Sequence, residues 1–356
     1  ENMNLRNINS VIIATHVFSP GTSQALRDYL LREGKDVLFI GHPLFGNVFT
    51  WTLGALDTIW QVIKTRKRFD LYVGSNNLNA FTGIVLRRIG LLKKVIFFTP
   101  DYSHQRFKNK LLNNFYHWLD YYCLKNADLV WNSSAVMPVD PIMRERERRG
   151  VPPKYRSKQI QVSDGTDPAE RLSFDKINRY EVGFVGHLKK GMGVELLIDV
   201  FPEITKQIPE AKLLIIGSGP IEEKLRIQAQ GLNNIEFTGF MGELSQVYKR
   251  LSKCAIGVAP YEEGTTSQYS DPGKVKVYLS VGLPMVITKV PQVAFEIDRE
   301  KCGIAINYGR NELIEAVVRL LKDETLLREY RNNAVRLAEK YSWDKIFERA
   351  LSKLEE

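Results

Sequence analysis

Apolar residues in this chain gather in short, mostly unbroken runs, and between the runs they recur every three or four positions. The runs fall at 11–14, 37–40, 71–74, 94–98, 129–131 and 159–162, and again at 181–185, 212–216, 235–237, 255–260 and 285–287. A strand covered on one face alternates apolar and polar residues, whereas a run without alternation is covered on both faces, as in a parallel sheet. Helical spacing fills the intervals at 25–32, 51–68, 80–89, 106–125 and from Ser133 to the charged run ending at Arg149. It returns at 193–207, 221–230, 243–251, 274–281, 310–321 and 324–341, and Ser342-Trp343 opens a last helix. Strand and helix alternate through both halves, which predicts an α/β protein with two Rossmann-like, doubly wound parallel-sheet domains. Such sheets bind ligands beyond the carboxyl ends of their strands, so the loops there are expected to face one cleft.

The stretch 163–178 (SDGTDPAERLSFDKIN) is turn-rich and has no period, as a linker does. The expected division is therefore a first domain at 1–165, a linker at 166–178, a second domain at 179–340, and a closing helix at 341–356 able to cross back to the first. A length of 356 residues suits two cores rather than one. No stretch approaches the 18 or so consecutive apolar residues of a membrane span, and the first ten residues show no signal-peptide pattern. Three scattered cysteines argue for a reducing compartment rather than a disulfide framework or zinc site. The expectation is a cytoplasmic protein, peripheral on the inner face of a membrane where it meets one.

Charge changes the picture. Residues 1–165 hold 23 Lys and Arg against 13 Asp and Glu, a net of +10, which leaves −1 for the rest of a chain whose total is +9. A basic half suits nucleic acid, an anionic membrane or an acidic substrate. No nucleic-acid motif accompanies it, so an anionic membrane surface or lipid-linked substrate is the expected partner, and nucleic acid is not. Within 106–125, Leu111, Leu112, Phe115, Trp118, Leu119 and Tyr122 form a helical apolar stripe flanked by basic residues. The simpler expectation is a core-facing stripe with a solvated basic face; the other is a membrane-interfacial face. The run from Arg144 to Arg149 reads as a solvated face.

One stretch, 261–287 (YEEGTTSQYSDPGKVKVYLSVGLPMVI), combines a polar loop, a helix start at Asp271-Pro272-Gly273, a short helix, a Gly282 stop and a buried strand. That order presents backbone N–H groups to an anion at a sheet's carboxyl edge. Pro272, Lys274, Tyr278, Gly282 and Pro284 resemble the P-x-K-x-x-E-Y-x-x-x-G-x-P-V signature of GT-B glycosyltransferases, with Val277 where that pattern has Glu. Gly186-His187-Leu188-x-Lys190-Gly191 is similar to the G-R-L-x-x-x-K-G loop of family 4-type retaining enzymes, one residue shorter and with His187 for Arg. Leu213 to Pro220 resembles L-x-I-V-G-x-G-P, Asn234 to Gly239 resembles N-V-x-F-x-G, and Asp164-Gly165-Thr166-Asp167 stands where the family has N-G-V-D. The likeness covers most of 181–343, including Tyr341-Ser342-Trp343; the first half is only generically similar.

The resemblance implies two GT-B domains and transfer of a sugar from a UDP- or GDP-linked donor to a glycan or lipid-linked acceptor in polysaccharide or glycoconjugate synthesis, with retention. A leaving diphosphate gains negative charge, which cationic side chains and N–H groups must meet. The expected chemistry is metal-independent and needs no cofactor. Lys190 is the first candidate for that charge and His187 the second. Gly21, Gly186, Gly191, Gly217, Gly219, Gly239, Phe240, Thr266, Ser267 and Lys274 are candidate donor-binding positions. Glu262, Glu263, Ser270 and Asp271 are candidates for the ribose contact that Val277 cannot make, Glu263 first among them. His16, Asp101 and His104, after first-domain strands, are candidates to act as base or to position sugar and acceptor. His42 and His117 read as structural. A nucleotide-sugar epimerase and a catalytically silent GT-B subunit that scaffolds a partner are the competing readings.

Overall fold

The computed structural model describes residues 7–16, 21–42, 48–100, 102–133, 140–167, 169–264 and 271–354. They form two compact units, one of residues 1–164 with 343–356, the other of residues 165–342.

In the first unit the strands β1 (Ser10–Thr15), β2 (Asp36–Gly41), β3 (Phe69–Ser75), β4 (Leu92–Thr99), β5 (Leu129–Asn132) and β6 (Gln159–Gln161) pair in parallel in the order β2-β1-β3-β4-β5-β6. All seven residues of β3 are buried, because helices close both faces of the sheet. The helices are α1 (Thr22–Arg32), α2 (Val48–Lys64), α3 (Asn77–Arg88), α4 (Lys110–Asn126) and α5 (Pro141–Arg148). The strand order reverses direction between β1 and β3, which places the crevice of this unit beside the loops that follow those two strands.

Two expectations fail here. The apolar stripe of α4 does not face the core: Leu119, Cys123 and Leu124 are buried, while Leu111, 80% exposed, together with Leu112, Phe115 and Trp118, points outward. A helix packed on a sheet can bury only one arc, and the arc centred on Leu119 and Cys123 takes that place. Nor is the charged run after Ser133 simply a solvated face. Arg146 is buried, with Nε and Nη2 donating to the two Asp120 carboxylate oxygens at 2.9 Å each. Its remaining donors reach Asn132, Gln159 and Thr99, and the Phe97 and Tyr102 rings lie against it. A guanidinium so fully satisfied ties α4, α5 and the ends of β4, β5 and β6 together. Deleting one partner of such a pair costs about 3–5 kcal/mol.

The second unit repeats the plan with β7 (Asn178–Val185), β8 (Lys212–Ile216), β9 (Ile235–Gly239), β10 (Cys254–Ala259), β11 (Met285–Thr288) and β12 (Gly303–Ile306), parallel in the order β12-β11-β10-β7-β8-β9. Its helices are α6 (Val194–Gln207), α7 (Glu222–Gln228), α8 (Leu244–Leu251), α9 (Gly273–Ser280), α10 (Val293–Arg299), α11 (Arg310–Lys322) and α12 (Glu324–Lys340). The switch in strand order falls between β7 and β10, so this unit's crevice lies outside Val185 and Ala259. Residues 165–178 open this unit: Thr166 bridges Ser342 in parallel, and one short 3-10 turn spans Phe174–Lys176. The last helix, α13 (Trp343–Ser352), belongs to the first unit, where Phe347 lies 5.5 Å from Tyr29 and stacks near Trp131.

Candidate active site

The crevice of the second unit is built from backbone. The loop after β7 (186–193) folds over the end of β10: the Glu262 N–H donates to the Gly191 carbonyl at 3.1 Å, and a Cβ added to Gly193 would stand 1.7 Å from the Pro260 carbonyl oxygen. The loop after β8 is pressed against the same segment. Gly217 takes φ +136°, a Cβ there would meet the Gly186 carbonyl oxygen at 2.0 Å, and one on Gly219 would meet the Leu188 carbonyl oxygen at 2.3 Å. The Leu188 N–H donates to the Ser218 carbonyl, and the Gly217 N–H to that of Gly239. Gly217 and Gly219 are thus glycines because two loops touch there. Phe240, just beyond β9, leaves its ring 77% exposed.

Lys274 is the cation this architecture aims inward. It sits in the first turn of α9, where Pro272 takes the N-cap position rather than the first helical one. Its ammonium lies 4.1 Å from the centroid of Phe184 and 4.8 Å from that of Tyr261. It would be 3.0 Å from a Cβ on Gly186, whose φ is +147°. Burial, with repulsion from Lys189 second, lowers its pKa to about 7. The ring faces still favour the cation, so the group holds a proton only loosely and an incoming anion would hold it there. Lys190 and His187 are exposed on the neighbouring turn. The resemblance puts Lys190 first for the diphosphate; the structure leaves Lys190 exposed and sets Lys274 against two rings.

The short helix α9 is pinned at both ends. Tyr278 donates to the Val258 carbonyl at 3.0 Å and accepts from the Val185 N–H at 3.1 Å, joining α9 to the ends of both switch-point strands. Asp271 accepts from Lys276 at 2.8 Å in a pair shut off from solvent, with the ammonium 3.8 Å from the Tyr341 ring centroid. That pairing removes Asp271 from the ribose candidates. Glu262 receives the Tyr308 hydroxyl at 3.4 Å, whereas Glu263 is exposed. Val277 is half-buried. Thr266, Ser267 and Ser270 lie outside the described residues, as does Asp101.

In the first unit the switch point gathers His16, after β1, and Asn76 and Asn79, at the start of α3. His16 is buried, and the Asn79 carboxamide nitrogen stands 2.8 Å from its Nδ1. Burial, and secondarily His42, lower the His16 pKa to about 4. The ring centroids of these two histidines are 5.6 Å apart, and His42 Nε2 meets Thr58 Oγ1 at 2.9 Å. His104 is exposed and takes a carboxylate from the charged run, Glu145 at 2.6 Å, while its carbonyl receives His117 and Arg149. His16 and His104 are therefore not one cluster. Gly21 caps α1 in extended backbone. Among the described residues no group of His, Cys, Asp and Glu is placed to hold a metal ion, and no helix is long and apolar enough to cross a membrane.

Two doubly wound parallel sheets in this order make the GT-B fold. Residues 179–323 match the family Glycosyl transferases group 1. The second unit carries that family's domain, and the chain has the GT-B fold. It is similar to the alpha-D-kanosaminyltransferase of Streptomyces kanamyceticus, 26% identical over 326 residues, 84% of this chain and 81% of that protein. It is similar also to the sulfoquinovosyl transferase SQD2 of Arabidopsis thaliana, 29% identical over 197 residues, 54% of this chain but only 34% of the relative's length. Among solved structures, that of Anabaena HepE in complex with UDP and glucose shares the fold with a TM-score of 0.69 at 16% identity, covering 95% of this chain and 97% of that one.

Proposed function

We propose that this chain moves a sugar from a nucleotide-diphosphate donor, with retention, to a glycan or lipid-linked acceptor, and that the second unit's switch point holds the diphosphate. The observation that carries this reading is Lys274, an ammonium held between two aromatic rings at the mouth of a loop packed backbone to backbone. A leaving diphosphate needs a preorganised cation in a poorly hydrated site, and here that cation is in place before the substrate arrives. Lys190, exposed on the same loop, supplies a second charge as the donor seats. Of the ribose candidates, Glu263 is exposed and makes no hydrogen bond or ion pair to another described residue. UDP-linked donors are favoured over GDP-linked ones, because HepE is seen in complex with UDP and with UDP-glucose.

The acceptor side is read from the first unit. Leu53, Leu56, Trp60 and Ile63 on α2 are exposed, as are Leu111, Leu112, Phe115 and Trp118 on α4, and α3 packs against both helices. Lys64 ends α2 and Arg66, Lys67 and Arg68 follow it, while Arg106 and Lys108 precede α4 and Lys110 opens it. Aromatic and aliphatic side chains rimmed by cations suit the interface of an anionic bilayer, where a lipid-linked acceptor resides.

The test is turnover of a panel of UDP- and GDP-linked sugars, with and without EDTA, by wild type and by Lys190→Ala, Glu263→Gln and Val277→Glu. We expect UDP-sugar consumption unaffected by EDTA, a loss of roughly 2–4 kcal/mol in transition-state stabilisation for Lys190→Ala, and weaker nucleotide binding by roughly 1.5–3 kcal/mol for Glu263→Gln. A folded wild type that binds no nucleotide makes the chain a scaffold. Normal binding by Glu263→Gln with a gain for Val277→Glu means the ribose contact is simply missing.

A further inference from the structure

His16 stands at the switch point of the first sheet, and its bonding fixes which of its nitrogens carries the proton. The Asn79 carboxamide nitrogen lies 2.7 Å from the Ser75 carbonyl oxygen, which can only accept, so that atom is the amide nitrogen and not its oxygen. One of its hydrogens goes to Ser75, and the other points along the 2.8 Å contact to His16 Nδ1. Asn76 behaves likewise: its carboxamide oxygen accepts the Asn79 N–H at 3.3 Å as the N-cap of α3, which turns its nitrogen toward the same Nδ1 at 3.4 Å. Two donors converge on Nδ1, so it bears the lone pair and Nε2 bears the hydrogen.

That Nε2 has no hydrogen-bond partner among the described residues, in a side chain only 5% exposed. A buried N–H without a partner is costly and rare in proteins, and at a sheet's switch point it is a vacant donor at the place where ligands bind. Among the described neighbours, His42 Nε2 is engaged with Thr58 Oγ1, which itself donates to the Gly54 carbonyl, and Asp57 lies 3.8 Å from that same His42 Nε2. Gly54 brings α2 close, since a Cβ there would sit 3.5 Å from His16 Nε2.

We propose that His16 acts as a constitutively neutral Nε2–H donor to a hydroxyl or phosphate oxygen of a glycosyl ligand bound at the first unit's own switch point, and that Asn79 and Asn76 are positioning residues that hold it in this tautomer. It is therefore not a general base, because the nitrogen free to reach a substrate has no lone pair to offer. The assignment rests on the sugar-transfer reading for its ligand but not for its tautomer. The low pKa agrees with it, since both amide donors and burial oppose an imidazolium.

The experiment is long-range nitrogen–proton NMR of the imidazoles in the full chain, with His16 assigned by substitution, across about pH 5 to 8 and then with UDP, UDP-glucose or glucose added. The expected result is an Nε2–H tautomer that does not titrate across the range and an Nε2 resonance that shifts with UDP-glucose; a shift with UDP alone marks a phosphate oxygen, one with glucose a hydroxyl. Asn79→Asp places a carboxylate where the donor was, so it is expected to move the proton to Nδ1, raise the midpoint into the titrated range and lower turnover roughly tenfold. Asn76→Asp, which keeps the N-cap, is expected to do the same to a smaller degree should Asn79→Asp not fold. An Nδ1–H tautomer in wild type, a midpoint near the ordinary histidine value, or an Nε2 resonance indifferent to bound UDP-glucose overturns the proposal. If neither these probes nor the UDP- and GDP-linked sugars of the panel above bind, the sugar-transfer reading falls and the ligand half of the proposal with it, while the tautomer, read in the free protein, is decided separately.

Discussion

Lys276 donates to Asp271 at 2.8 Å across the first turn of α9, and neither side chain reaches solvent. A buried pair is stable only as a pair: breaking it from one side leaves a charge in a medium that cannot hydrate it, whereas replacing both ends with apolar groups of similar size removes the problem. Lys276→Met alone is expected to destabilise the chain by about 3–5 kcal/mol, and Asp271→Leu with Lys276→Met to recover most of that. Urea unfolding of the two single variants and the double variant measures the coupling; additive losses would mean that the two groups do not depend on each other.

The Lys274 ammonium should make donor binding a proton-linked event. Its pKa is lowered from 10.5 to about 7 by burial and by Lys189, so between those values the unfolded chain binds the proton that the folded chain releases. Stability contributed by this group therefore rises with pH across that window. Diphosphate binding works the other way: the anion favours the charged ammonium, so binding takes up a proton and weakens as pH climbs above about 7. Calorimetric titration of UDP in two buffers of different ionisation enthalpy reads the uptake, and Lys274→Met should abolish it along with most of the affinity. Buffer-independent heats at about pH 8 would refute the assignment.

Gly186 is required twice over, by its φ of +147° and by the ammonium that fills the space where a side chain would start. Gly186→Ala is expected to cost about 1–2 kcal/mol of stability from the backbone alone and to displace Lys274. Nucleotide affinity should then fall more than stability does, roughly tenfold, as for one lost charge-assisted contact. Thermal unfolding and UDP titration on the same samples separate the two effects, and an unchanged affinity would show that Lys274 does not need this room.

The exposed faces of α2 and α4 should bind anionic vesicles together. Trp60 is 64% exposed on α2, and Trp118 stacks between Phe115 and Tyr122 on α4 with ring centroids 5.7 Å away on either side. Full burial of one such side chain contributes about 1.5–3 kcal/mol, so Trp60→Ser and Trp118→Ser are each expected to lower partitioning roughly tenfold. High salt should weaken binding further by screening the basic rim. Sedimentation with anionic and neutral vesicles at two salt concentrations is the measurement; loss from one helix only would confine the contact to that helix.

Much of this could be read from the residue pattern. Runs such as 212–216 and 285–287 suit buried strands, and the loops after β7 and β8 carry glycines where backbone meets backbone. Other features were hidden because they depend on residues far apart in the chain. Arg146 lies in a run of charges that reads as solvated, and only the return of β4, β5 and α4 puts Thr99, Asn132 and Asp120 around it. The α4 stripe has a helix's period whichever way it faces, since periodicity marks an apolar arc and does not say what covers it.

By itself, then, the sequence determined the alternation of strands and helices, the two sheets and the order of the loops at their carboxyl ends, because these follow from local spacing. The tertiary structure alone decided which lysine lies against aromatic rings, that Asp271 is committed to Lys276, and that two asparagine amides face Nδ1 of His16. Those outcomes turn on desolvation and on how many donors and acceptors converge at one point, and neither exists until distant segments have packed together.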